Sequence, residues 1–205
     1  MYRDYINKYL KEVRLIAEKI DRDSVNKMIE VLADVRKQGG RLFIIGNGGG
    51  AAHASHAVSD FRRLAGIEAY TPTDNVDDLT SHANDNGWHT VFAHWLLCSH
   101  LNSKDAVLVF SVGGGNAEKN ISINIVASLK LAKSVGAKIL GVVGLDGGYT
   151  KQVADACIMV PVVNAENVTP HTEAFQAVLW HLIVSHPEFR TNEAKWELVR
   201  QTTSA

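Results

Sequence analysis

Two copies of one local pattern, a short apolar strand running into a glycine loop and then a helix, constrain this chain more than any other feature. The run Arg41-Leu42-Phe43-Ile44-Ile45 leads into Gly46-Asn47-Gly48-Gly49-Gly50 and then into the helix-forming stretch Ala51 to Arg63. Further along, Ala106-Val107-Leu108-Val109-Phe110 enters Ser111-Val112-Gly113-Gly114-Gly115-Asn116 and a second helical stretch. Glycines let backbone N–H groups approach an anion at a helix N-terminus, so each loop reads as a phosphate cradle. The first loop does not match G-x-G-x-x-G with a ribose-binding acid, nor G-x-x-x-x-G-K-[ST], so a dinucleotide or a nucleoside triphosphate is poorly supported. A plain tight turn is the competing reading of three consecutive glycines, and the second copy weighs against it.

The rest of the pattern sets the fold class. Apolar residues at helical spacing on both sides of Asp21-Arg22-Asp23-Ser24 predict two helices within residues 2–38, the second capped by Ser24 or Asp23 and ended by Gly39-Gly40. The first helix is amphipathic enough to pack on another subunit as readily as on its own sheet. After strand one come a predicted helix at 50–64, a short strand at 68–71 and helical segments near 75–83 and 88–101. A strand at 106–112, a helix at 116–135, a strand at 138–144, a helix at 148–155, a strand at 156–162 and a helix at 170–186 follow. Strands separated by helices pair in parallel, because parallel neighbours need crossover connections. The expected fold is α/β, a three-layer sandwich with a parallel sheet of about five strands, in which ligands bind outside the carboxyl ends of the strands.

At 205 residues and 46% hydrophobic, the chain is long enough for one buried core, so helices 1–40 and body 41–186 are expected to share a domain. The tail, 187–205, is largely polar apart from Trp196, Leu198 and Val199, and reads as a short docking helix or a partly disordered end. A net charge of −1 from 21 basic and 22 acidic residues leaves no broad basic surface, which argues against nucleic acid as a direct ligand. No apolar run reaches membrane-spanning length and the N-terminus lacks a signal-peptide core, so a cytoplasmic chain without a membrane partner is expected. Cys98 and Cys157 each lie in an apolar segment and read as core thiols in a reducing compartment.

Candidate chemistry gathers on two helices. The first loop's helix carries His53, His56 and Asp60, with His56 and Asp60 at the i, i+4 spacing that puts two side chains on one face. A histidine and a carboxylate there can bind a metal or move protons, and a solvated polar stripe is the bland alternative. The last helix offers Glu173 and His181, where His181 sits among Trp180, Leu182 and Ile183 and a core histidine is the competing reading. Eight residues of helix rise about 12 Å, so Glu173 and His181 reach a common ion only by stretching toward each other or from two subunits.

In order and spacing, Gly46-Asn47-Gly48-Gly49-Gly50, His56-x-x-x-Asp60, Asn84-Asp85-x-Gly87, Ser111-x-Gly113-Gly114-x-Asn116, Asp146-Gly147-Gly148 and Glu173-x7-His181 resemble the sugar isomerase (SIS) domain family. Within it the chain is most similar to the phosphoheptose isomerases, which act on sedoheptulose 7-phosphate. The resemblance runs from about residue 5 to 186. It implies an aldose–ketose isomerase working through an enediol, assembled as a homotetramer with active sites between subunits. By the same resemblance Asp60 is the base and His181 the acid. A divalent metal, zinc in some members, is implied at His56, Asp60, Glu173 and His181. Asn47, Gly48, Gly49, Gly50, Asp85, Ser111, Gly113, Gly114, Gly115, Asn116 and Glu173 are implied to line the sugar-phosphate site.

The chain departs from the family where it has Asp60 in place of glutamate, Glu173 in place of glutamine, and glycines in place of loop serines. Glu173 adds a second carboxylate, and carboxylates that repel favour a divalent cation between them. The resemblance also allows two other readings: an isomerase of a different phosphosugar, and a non-catalytic binding protein like the family's replication-initiator-associating members.

Overall fold

The computed structural model describes residues 2–196 and 199. Two helices, α1 (Tyr2–Lys19) and α2 (Arg22–Lys37), precede β1 (Leu42–Gly46), α3 (Gly49–Arg63) and β2 (Ala69–Tyr70). Then come α4 (Val76–Asn86), α5 (Val91–Cys98), β3 (Ala106–Ser111), α6 (Ile123–Val135) and β4 (Lys138–Val143). The chain continues through α7 (Gly148–Val153), β5 (Ala156–Met159), a 3-10 turn (Ala165–Asn167) and α8 (Val168–Ser185).

The five strands form one sheet in the order β2-β1-β3-β4-β5, and every pairing is parallel. Both sheet faces are covered, so β1 is buried at every position and reads as a continuous apolar run. Leu42, Ile44, Leu108, Phe110 and Val142 face a core shared with α1, α2, α3 and α8. Phe43, Ile45, Val107 and Val109 face the other core, with α5 and α6. This is the three-layer sandwich the sequence predicts.

The strand order reverses between β1 and β3, where one crossover leads outward to β2 and the other to β4 and β5. Gly46 pairs with Phe110, so the two strands end nearly level and both glycine loops leave the same edge at that reversal. A crevice opens there because the following helices diverge to opposite faces of the sheet.

Several boundaries differ from the sequence reading. The cap of α2 is Asp21, whose side chain accepts from Asp23 N–H and the Ser24 hydroxyl, so the helix starts before the residues expected to cap it. The helix expected from residue 116 begins at Ile123, because residues 116–122 fold into a tight bridge between Asn116 and Ile121 with Asn120 and Ser122 at positive φ. The segment predicted at 88–101 contracts to α5, since Gly87 (φ +80°) ends α4 and residues 88–90 make the turn. In α8, Pro170 sits in the first turn, where its missing N–H disrupts no helical bond. Cys98 is exposed at the end of α5 and Cys157 half-buried, so Cys98 is no core thiol. In the tail Phe189 is buried against Phe61 while Trp196 and Val199 are exposed, and Leu198 lies outside the described residues.

A buried polar knot fixes α1 to the start of α8. The Glu12 carboxylate accepts from Asn164 (2.8 Å) and Asn167 (2.9 Å) and contacts His171 Nε2 at 2.8 Å. The Asn167 bond first, then His171 and Asn164, hold the Glu12 carboxyl down to about 2 against the opposing effect of burial. A carboxyl lowered in the fold contributes stability above its unfolded pKa and loses it as pH falls toward the folded value. Wild type should therefore melt above Glu12→Gln near neutral pH, and the gap in Tm should close as pH falls from about 4.5 to about 2. A gap independent of pH would remove the carboxylate from this account.

Candidate active site

The first glycine loop is built to lie flat on its neighbours. A Cβ at Gly50 would stand 2.4 Å from the Phe110 carbonyl oxygen, and one at Gly46 would stand 2.7 Å from it. At Gly49 the close neighbour is different: a Cβ would lie 2.5 Å from Glu173 Cδ and 2.6 and 2.7 Å from its carboxylate oxygens. The Glu173 carboxylate thus rests against the first turn of α3, where the helix dipole favours an anion. The predicted cradle at Gly48-Gly49-Gly50 already meets a negative charge from its own chain.

Between the loops lies a cavity of about 300 Å³ lined by Asn47, Gly50, Ser111, Val112, Gly113, Ile121, Ser122, Leu145, Glu173 and Gln176. Ser111 accepts from Gly114 N–H at 3.0 Å, which leaves its own proton to donate. Ser122 immediately precedes α6, and its hydroxyl caps none of the helix N–H groups. Asn47 and the buried Asn124 exchange amide hydrogen bonds at 3.1 and 2.8 Å, tying the first loop to the start of α6. Glu173 is the one ionisable side chain on this lining among the described residues.

Five of the expected sugar-phosphate residues line the cavity: Asn47, Gly50, Ser111, Gly113 and Glu173. Gly48, Gly49, Gly114, Gly115, Asn116 and Asp85 do not. Gly114 and Gly115 turn their carbonyls to α7, accepting from Thr150 N–H and Tyr149 N–H at 3.0 and 2.8 Å. Gly147 and Gly148 pack so closely on this loop that a Cβ at Gly114 would stand 1.9 Å from the Gly147 oxygen, which explains Asp146-Gly147-Gly148 as loop-on-loop packing. Asn116 caps Lys119 N–H, and exposed Asp85 bonds its neighbour Asn84. Sequence reasoning missed Ser122 and Gln176, the first because residues 116–122 were read as helix and the second because nothing marks a glutamine in an apolar helix.

A second cluster lies along the seam where α3 packs on α8. Asp60, largely buried, places Oδ2 3.5 Å from His56 Nε2 and 3.4 Å from His181 Nε2, and accepts from Trp180 Nε1 at 3.2 Å. His181 is half-exposed, not a core histidine, and its Nδ1–H donates to the Ala177 carbonyl at 2.8 Å. Its Nε2 faces the Asp60 carboxylate, where it is available to a cation held between them. Potential ligand atoms of His56, Asp60 and His181 all lie within 4.8 Å of one another. Two ligands on a tetrahedral ion at about 2.0–2.1 Å stand roughly 3.4 Å apart, which the two separations from Asp60 Oδ2 match.

Of the four side chains implied to hold a metal, the fold gathers these three, and Glu173 stands apart from the cluster. Its distance along α8 and its seat on Gly49 keep it away. His53 lies between the two groups, its ring 5.2 Å from that of Trp180, and burial lowers its pKa against the opposing charge of Glu173.

The SIS domain profile matches residues 2–144 of this sequence. The chain belongs to the SIS domain family. Among curated relatives, a phosphoheptose isomerase of Aliarcobacter butzleri is 29% identical over 188 residues, covering 87% of this chain and 92% of that one. The lincomycin biosynthesis protein LmbN of Streptomyces lincolnensis is 30% identical over 175 residues, and the match spans 80% of this chain but 62% of LmbN. The fold superposes on phosphoheptose isomerase GmhA from Neisseria gonorrhoeae with a TM-score of 0.77 at 21% identity, over 90% of this chain and 97% of that one. No helix among the described residues of this SIS domain is long and apolar enough to cross a membrane.

The two glycines beside the cavity should respond differently to substitution. Gly49→Ala meets the movable end of Glu173, so it should displace the carboxylate and change Tm little. Gly50→Ala meets the Phe110 backbone and should cost about 1–3 kcal/mol or more, as overpacking does. Thermal unfolding of the pair checks the contrast, and equal losses would contradict it.

Proposed function

We propose that this chain is an aldose–ketose isomerase of a sugar phosphate, converting sedoheptulose 7-phosphate to a manno-heptose 7-phosphate through an enediol. The observation that carries the reading is the pairing of a hydroxyl- and amide-lined cavity at the sheet's reversal point with an acid–base cluster along one helix seam. Phosphoheptose isomerases among the relatives and the structural neighbours support the same substrate class.

In this reading the phosphate end sits near Ser111, Gly113 and Ser122; Asp60 and His181 are not on the lining of that cavity, so they meet the sugar end in a site completed by a second subunit. At the far end Asp60 takes the proton from the carbon beside the carbonyl, and His181 protonates the carbonyl oxygen as charge develops there. Trp180, His56 and His181 all contact Oδ2 of Asp60, which leaves Oδ1 for the substrate proton. Asp60 then returns the proton to the former carbonyl carbon while His181 takes the hydroxyl proton from the oxygen of the adjacent carbon, which becomes the new carbonyl and restores both groups.

His56, Asp60 and His181 also fit a divalent ion, zinc being the natural choice for two imidazoles and a carboxylate. Such an ion supplies Lewis acidity toward a carbonyl oxygen. Glu173 joins that ligand set only from a second copy of the chain. Assembly as a homotetramer belongs to the same proposal, supported by exposed Tyr5, Ile6 and Leu10 on α1 and Val178 and Leu182 on α8. A cytoplasmic setting is supported by the two free thiols, of which the Cys157 pKa is pushed up to about 11 by burial.

The test is purified protein with sedoheptulose 7-phosphate, with added zinc and after chelation, followed for aldose product. Asp60→Asn and His181→Gln should each lower kcat by about 10²- to 10⁴-fold. Absence of turnover in both metal conditions would reject the isomerase reading.

A further inference from the structure

Of the ten residues that line the cavity between the loops, two are exposed: Ile121 at 52% and Leu145 at 53%. The other eight are buried or half-buried, so these two side chains form its outer rim. Both are large and apolar, whereas Ser111 and Ser122, which have protons to give, are half-buried. The cavity is therefore polar within and apolar at its mouth.

Leu145 holds its place against its own backbone preference. It sits at φ +50° in the turn that the Gly147 N–H closes on the Gly144 carbonyl at 2.9 Å. That left-handed region suits glycine, asparagine or aspartate, and a leucine there is strained because its Cβ crowds the following carbonyl. Core packing does not offset the strain, since more than half of the residue is exposed. Its reach is toward the cavity: Cδ1 lies 3.8 Å from where a Cβ on Gly113 would stand. Ile121 is held just as firmly, its N–H and carbonyl both paired with Asn116 at 2.9 and 2.8 Å. On either side of it Asn120 and Ser122 have φ of +53° and +48°. Two strained loops thus each present one apolar side chain at the mouth, and backbone outliers of this kind collect at ligand clamps.

We propose that Leu145 and Ile121 are specificity-determining residues that select an organic phosphate monoester over inorganic phosphate, by packing on the first carbons beyond the ester oxygen. The inference rests on the phosphate reading of this cavity and deepens it. Leu145 reaches over Gly113 and Ile121 precedes Ser122, so both side chains stand beside residues assigned to the phosphate oxygens. A monoester turns its oxygens to those donors and its first methylenes to the rim, where burial removes apolar surface from water. Inorganic phosphate has no carbon to offer, and its outward oxygen exchanges solvent for methyl groups. The rim thereby disfavours the free anion that competes for the same donors.

Calorimetric titration tests this without requiring turnover. The probes are inorganic phosphate, methyl phosphate, ethyl phosphate and heptitol 7-phosphate, in buffer alkaline enough that all four are dianions, with wild type and Leu145→Asn. Asparagine accepts the left-handed backbone and lacks the apolar tip. Wild type should bind methyl phosphate more tightly than inorganic phosphate, and ethyl phosphate more tightly again, by about fourfold for each carbon buried. Leu145→Asn should weaken the three esters by about 4- to 15-fold, corresponding to one or two methylenes, and change inorganic phosphate by less than about twofold. Ile121→Ser should act in the same direction. Ligand-free Leu145→Asn should melt no lower than wild type and keep its state of association, because the substitution relieves strain at an exposed position.

A wild type that does not distinguish the esters from inorganic phosphate overturns the proposal, and that measurement needs no variant to fold. Equal weakening of all four ligands in Leu145→Asn overturns it too. A variant that melts lower, or that changes its state of association, assigns the leucine to the fold or to a subunit contact and has the same consequence. Ester selectivity in a protein that turns over no sugar phosphate would instead reject the isomerase reading and leave the rim's role standing, and turnover without ester selectivity would do the reverse.

Discussion

The carboxyl edge of the sheet depends on how closely the first glycine loop lies on β3. Side chains at Gly46 or Gly50 would collide with the Phe110 carbonyl, so only glycine lets α3 begin directly above the neighbouring strand. That approach brings the first turn of α3 under α8, and with it Gly49 under Glu173. Once these contacts are made, the course of α3 along α8 is set, and His56 and Asp60 reach His181 two turns further on. The cavity and the acid–base cluster are therefore two ends of one packed seam.

Support for that seam comes from both sides. Trp180, buried between His53 and Phe110, donates to Asp60 and fixes the carboxylate that both histidines face. The Glu12 knot anchors the start of α8 through Asn164, Asn167 and His171, two residues before Glu173. Rigid elements positioned in this way hold functional side chains more accurately than loops do. The Asn47–Asn124 exchange plays the equivalent part for the loop wall.

The departures from the family pattern make chemical sense together. The absence of a side chain at Gly49 makes room for the Glu173 carboxylate, and the carboxylate then occupies the positive end of α3. In the proposed reading, the anion-binding duty that two loops could share falls to Ser111, Gly113 and Ser122 on the other side of the cavity. Shortening the first-loop helix carboxylate to Asp60 is matched by Trp180, which holds its Oδ2 from below.

Much of this was legible in the residues. The β-branched strands, the two glycine loops and the helical periods between them determine a parallel α/β sheet, because local propensity and apolar spacing agree along the whole body of the chain. The i, i+4 spacing of His56 and Asp60 likewise places both on one face of α3. What only the tertiary structure decided is which groups meet across elements. Positive φ at Asn120 and Ser122 turns an apparent helix into a loop and delivers Ser122 to the cavity. Glu12 finds His171, 159 residues away, with no local signal in either segment. Glu173 leaves the histidines for Gly49, because side-chain partners at the sheet edge are set by how helices pack and not by spacing within one helix.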